Sequence, residues 1–218
     1  MADDVREDIT EAELQRHHAL FEPFTQAVRE LVDATIRTEV DPAEVQAVRA
    51  EVEALTARLR SRQIDGPHST RFSRPSRGHS WGNPVVGLRN AAAPPVTVER
   101  DPSGRAWSSF HLGAAFEGPP GLVHGGVSAL VLDQMLGEAA AAGGKPGMTG
   151  TLTLRYRRGT PLGDLRAEAW IDRSEGIKTW VHGHLLDDEG VTVEAEGLFI
   201  LPRWARDRLA AEDPSTFE

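Results

Sequence analysis

Apolar positions follow two different rhythms along this chain. Phe21, Phe24, Val28, Leu31 and Ile36 keep near-helical spacing and predict a helix over residues 10–38. Pro23 interrupts it, either as a kink or as its true start. Asp41 and Pro42 read as N-cap and first-turn proline of a second helix. Along that helix Val45, Val48, Val52, Leu55 and Leu59 step by 3, 4, 3 and 4, an a/d seam. The seam predicts an antiparallel helical hairpin over residues 1–63, with oligomerisation as the other use of such a stripe. Residues 64–95 are rich in Gly, Pro, Ser and Arg without a sustained period and read as a long linker.

From residue 96 onward strands surround one helix. Val96–Glu99 and Ala106–Leu112 alternate like a strand pair, with Asp101–Gly104 as the turn. Val127–Ala142 is apolar on nearly every side, through Leu130, Val131, Met135, Leu136 and a run of alanines, which suits a buried helix ended by Gly143 and Gly144. Thr149–Arg157, Leu165–Asp172, Thr179–Leu186 and Val191–Leu201 follow as four further strands. One long helix against about six antiparallel strands makes residues 96–218 an α+β domain. Leu152, Leu154 and Tyr156 alternate with Thr151, Thr153 and Arg155, so one sheet face is kept apolar for the helix.

Composition narrows the chemistry. The 218 residues suit one ordinary domain plus an appendage, or two small domains. No window is apolar enough for a membrane span, and the acidic start MADDVRED is unlike a secretion signal, so a cytoplasmic location is expected. Zero cysteines exclude disulfides, thiolate metal sites and a cysteine nucleophile. The net charge of −9 argues against binding nucleic acid through phosphates. Charge is uneven, at −7 over residues 1–60, +4 over 61–95 and −6 over 96–218.

The segment Gly118–Gly126, GPPGLVHGG, sets Gly125 and Gly126 at the start of the apolar helix, directly after His124. First-turn N–H groups lack intrahelical partners and glycine admits a ligand close to the backbone, so this is a natural oxyanion site. Nine residues after His124, Asp133 interrupts the apolar run, where an unpaired buried carboxylate is costly. Other constellations fail. Gly126–Leu130 lacks the second glycine of a nucleophile elbow, and neither a Walker A loop nor a G-x-G-x-x-G fingerprint is present. His182 and His184 share a strand face but have no third ligand placed beside them, and no metal or cofactor is expected.

EGPPGLVHGGVSALVLDQMLGEAAAAGG followed by MTGTLTLRYRRGTPL resembles the hotdog-fold acyl-CoA thioesterases, in particular their PaaI-like and THEM4-like branch, over roughly residues 105–203. The resemblance implies a hotdog fold, an antiparallel sheet wrapped around one central helix, here with an N-terminal helical extension. It implies that the Gly125 N–H binds the thioester carbonyl, that Asp133 is nucleophile or general base, that Thr149 orients water or the carboxylate, and that His124 matches the family's histidine. Acyl-CoA would be the substrate and lipid metabolism the setting. Gly126 and the basic cluster Arg155, Arg157 and Arg158 are candidates for substrate binding, although alternation lets at most a subset of the arginines face the CoA phosphates. Lys178 and the arginines of residues 71–89 are rivals.

Helix geometry adds an independent expectation. Eight residues separate Gly125 from Asp133, about 12 Å along the axis and about 80° around it, so one chain cannot present both to one carbonyl carbon. A two-fold homodimer, or a dimer of dimers, supplies the second copy. The rival readings are a non-catalytic acyl-CoA sensor or partner-binding protein, and a hotdog hydratase or dehydratase with a histidine base.

Overall fold

The computed structural model describes residues 9–65, 68, 71–73, 77–203, 205 and 206, with the backbone alone over 71–73 and 77–79. The chain divides into two compact units, Met1–Ala92 and Ala93–Glu218.

In the first unit, α1 (Glu11–Arg37) opens on a capping box. The Thr10 side chain accepts from the Glu13 N–H, and the Glu13 carboxylate accepts from the Thr10 N–H at 2.9 Å. The helix runs unbroken through Pro23. In α2 (Pro42–Arg60), Asp41 caps the N–H groups of Ala43 and Glu44 as expected, a cap worth about 1 kcal/mol. The packed hairpin is not found. No residue of α2 is buried, and its seam lies open, with Leu59 59% exposed. Instead α1 turns His17, Phe21 and Arg29 toward residues 80–92.

That segment, expected as a long linker, carries structure of its own. β1 (Arg71–Ser73) pairs antiparallel with β2 (Arg77–His79), and Trp81 and Val85 are buried. The Asn83 side chain accepts from the N–H groups of Val85 and Val86, tightening the turn, while the Arg89 guanidinium lies 3.8 Å from the Phe21 ring centroid and 4.7 Å from that of Trp81. A tryptophan and an aliphatic residue buried among turn-formers provide apolar anchors that period-based reading overlooks.

In the second unit β3 (Glu99–Asp101) and β4 (Arg105–Leu112) form the expected hairpin. β3 begins three residues later than expected, and the Val96 N–H donates to the Pro94 carbonyl at 2.8 Å instead of to the ladder. A 3₁₀ turn (Ala114–Phe116) leads to α3 (Gly125–Ala142). β5 (Met148–Tyr156), β6 (Gly163–Glu175), β7 (Lys178–Asp187) and β8 (Gly190–Ile200) complete a six-stranded antiparallel sheet among the described residues, in the order β3-β4-β6-β7-β8-β5. Residues 207–218 lie outside the described residues.

The sheet cradles α3 because small residues line its middle. Ala167, Ala169 and Ala195 are buried there, and a Cβ placed on Gly183 or Gly197 would come within 3.1 or 3.0 Å of the Leu136 side chain. Against this groove α3 buries Val131, Leu132, Met135, Leu136, Ala139 and Ala140 completely. Leu130 departs from expectation at 38% exposed, since it lies on the helix face that the sheet leaves uncovered. Gly144, with φ +71°, turns the chain out of the helix in a conformation glycine adopts without strain.

Candidate active site

His124 ends the loop and caps α3. Its Nδ1 accepts from the Gly126 N–H at 3.0 Å, and its carbonyl accepts from Val127 at 2.9 Å and Ser128 at 3.3 Å. With Nδ1 acting as acceptor, the neutral ring carries its proton on Nε2. The bond engages the Gly126 N–H in the cap, so any contact of Gly126 with a ligand would be made by other atoms. The Gly125 N–H is left without a partner among the described residues. A helix start with one open N–H is a ready donor to a developing negative oxygen.

Two turns on, Asp133 is half-buried, and its Oδ1 accepts from the Thr149 hydroxyl at 2.8 Å. Thr149 reaches it through a break in strand alternation. Counting back from Tyr156, Leu154 and Leu152 share one face, and strict alternation would put Thr149 on the other. A β-bulge at Gly150 shifts the register, so that Thr149 opposes Phe199 while Thr151 opposes Leu198. Phe199 is buried, so Thr149 stands on the helix side of the sheet.

Of the three expected arginines, two are spent within the chain. Arg157 binds Glu194 at 2.6 Å, and Arg158 grips Asp187 through both guanidinium nitrogens, with Nη1–Oδ2 at 2.7 Å. Hydrogen bonding to Arg158 holds the Asp187 carboxyl below its ordinary range, and Arg157 does the same for Glu194. Arg155, on the outer sheet face, is exposed. Lys178 lies at the far end of β7 and is also exposed. Arg74, and the side chains of Arg71 and Arg77, lie outside the described residues. His182 and His184 flank Trp170 and face separate carboxylates, Asp172 at 3.9 Å and Glu168 at 3.7 Å. Among the described residues no three ligating side chains converge as a metal site would need.

One contact lay beyond the sequence reading: the hydroxyl of Tyr156 donates to the Gly125 carbonyl at 2.8 Å. The signals available were that Tyr156 is the chain's sole tyrosine and that it shares a strand with Thr149.

A solved crystal structure of RHA08564, a thioesterase superfamily protein, superposes with a TM-score of 0.74 at 36% identity, over 83% of this chain and 94% of that one. The chain belongs to the thioesterase superfamily. The family model described as Thioesterase superfamily matches residues 120–194, which hold the loop, α3 and all of β5 to β7. Acyl-coenzyme A thioesterase THEM4 of Xenopus laevis is 36% identical over 98 residues, covering 42% of each chain. THEM4 of Bos taurus is 33% identical over 94 residues, covering 42% of this chain and 38% of its own. The chain thus spans about two-fifths of the length of these curated relatives. This thioesterase-superfamily domain has the hotdog architecture expected from the sequence, one central helix in an antiparallel sheet, and it places Asp133 and Thr149 in direct contact.

Proposed function

We propose that this protein hydrolyses acyl-CoA thioesters: acyl-CoA and water give the carboxylic acid and the free thiol of CoA. The observation that carries the reading is the 2.8 Å bond from the Thr149 hydroxyl to Asp133, on the same helix whose first N–H, that of Gly125, is open. Asp133 removes a proton from water and passes it to the departing thiolate, or attacks the carbonyl carbon itself to form a mixed anhydride that water then hydrolyses, regenerating the carboxylate. Thr149 fixes the carboxylate's orientation and leaves Oδ2 for the reacting group. The Gly125 N–H and the helix dipole stabilise the oxyanion, and the thiolate leaves with a proton.

The site is completed across a two-fold homodimer, with the Gly125 of one protomer facing the Asp133 of its partner. Support comes from β5, an edge strand of the sheet whose residues, Met148 among them, are mostly exposed, and from Leu130 exposed on α3. Such an edge is a pairing surface. Arg155 is the member of the basic cluster we assign to the CoA phosphates, because Arg157 and Arg158 are engaged by carboxylates. We further place the protein in the PaaI-like and THEM4-like branch, acting in cytoplasmic lipid metabolism; fractionation of cells producing the tagged chain tests the location.

A hydratase reading fits poorly, since His124 is occupied as an N-cap. Release of free thiol from a panel of short-, medium- and long-chain and aromatic acyl-CoAs tests the proposal. Turnover of any member supports it, and binding without turnover would establish the sensor reading instead.

A further inference from the structure

Two adjacent glycines make a flexible place to keep an oxyanion donor, because Gly125 and Gly126 restrict their backbone dihedrals least of all residues. The peptide between them is nevertheless held at both ends. Its N–H, from Gly126, donates to His124 Nδ1 at 3.0 Å, and its carbonyl, from Gly125, accepts from the Tyr156 hydroxyl at 2.8 Å. The preceding peptide has its carbonyl bonded to Val127 and Ser128, so the Gly125 N–H alone remains open at the turn among the described residues.

We infer that Tyr156 is a positioning residue for the oxyanion site: its hydroxyl pins the Gly125–Gly126 peptide, which meets the peptide carrying the open N–H at the Gly125 Cα, and so limits how far that N–H can turn. The inference rests on the thioesterase reading above. Tyr156 is 53% exposed, so its phenol contributes little burial, and its ring lies only 3.4 Å from where a Gly125 Cβ would stand. It reaches the helix because it opposes Val193, which is buried on the helix side of the sheet, as Phe199 opposite Thr149 is. Thr149 and Tyr156 are seven residues apart and share a face only through the bulge at Gly150. One strand therefore steadies both halves of the site, the carboxylate through Thr149 and the peptide next to the oxyanion donor through Tyr156.

Tyr156→Phe removes the hydroxyl and keeps the ring. The full-length variant and the wild type are compared by steady-state kinetics, melting temperature and the hydrogen-exchange rates of the Gly125 and Gly126 amides. The expected result is a fall in kcat of about tenfold with KM held within about twofold, faster exchange at Gly126, and an unchanged melting temperature. Unchanged kcat would overturn the inference, as would kcat and KM worsening together with a lower melting temperature, which marks a merely structural residue. A wild type without turnover defeats the thioesterase reading, and the Gly126 exchange rate then decides alone: acceleration in Tyr156→Phe sustains the pin, and no change refutes it.

Discussion

In the proposed reaction Asp133 is the residue on which the chemistry turns, and its surroundings separate its expected contribution to catalysis from its contribution to folding. It sits half-buried on a helix otherwise lined by Val131, Leu132, Met135 and Leu136, so its charge is held at some cost to stability. Asp133→Asn keeps the shape and an acceptor for the Thr149 hydroxyl but removes the proposed base or nucleophile. Activity is expected to fall to background while the melting temperature stays equal or rises, measured by thiol release and thermal denaturation. Wild-type rates in that variant would remove Asp133 from the mechanism. Thr149→Ala removes an orienting bond only, and a loss of about ten- to a hundredfold in kcat is expected. Asp133 and His124 were legible in the sequence because a carboxylate and a histidine stand out in an apolar, glycine-rich stretch. The commitment of the Gly126 N–H to His124 was not, since it depends on a side-chain rotamer that no spacing encodes.

β5 shows what one strand irregularity accomplishes. A Cβ on Gly150 would come within 2.8 Å of Ile200 Cδ1, so the bulge is compatible with a side chain there only if Ile200 moves. Gly150→Val is therefore expected to displace Thr149 and lower kcat/KM at least as far as Thr149→Ala does. Adding Ile200→Ala should restore part of the loss, and additive effects in that double-mutant cycle would rule out the steric account. At the end of the same strand Arg158 holds Asp187, whose side chain is only 4% exposed. Asp187 and Glu194 both have folded-state pKa values below their ordinary ones. Their contribution is fully present above the unfolded carboxylate value of about 4 and is lost as pH falls through the lower folded values. Arg158→Gln should thus melt below wild type at neutral pH, with the gap closing as pH drops below about 4. A gap independent of pH would show that the pair acts through packing alone.

For the assembled protein the decisive question is whether one chain or two make a site. Gly125→Pro deletes the open N–H, and it is compatible with the backbone: Gly125 is the first helical residue and His124 has ψ 132°, a conformation accepted before proline. Asp133→Ala deletes the acid. Each homodimer should be nearly inactive, whereas co-expression forms mixed dimers in which one site carries both lesions and the other none. Random pairing makes about half the dimers mixed, so activity should recover to roughly a quarter of wild type. Purified mixed dimers no more active than their parents would mean that each site is made within one chain.

Beyond residue 96 the order of strands and helix, the turns between them and the family motif could be read from the chain alone, because period, caps and turn residues act over a few positions at a time; the short β1–β2 pair, which has no such period, could not. α3 was placed to within two residues of its start, and β4 to within one. Folding in three dimensions settled the rest. It left the α2 seam open and drew residues 80–92 onto α1, because apolar faces choose partners by shape and not by proximity in sequence. It paired Arg157 with Glu194 and Arg158 with Asp187 across 37 and 29 residues, partners that no local spacing announces. It also set Thr149 and Tyr156 on one face of β5, since a bulge reverses every side chain beyond it and becomes visible only once the strand has a partner.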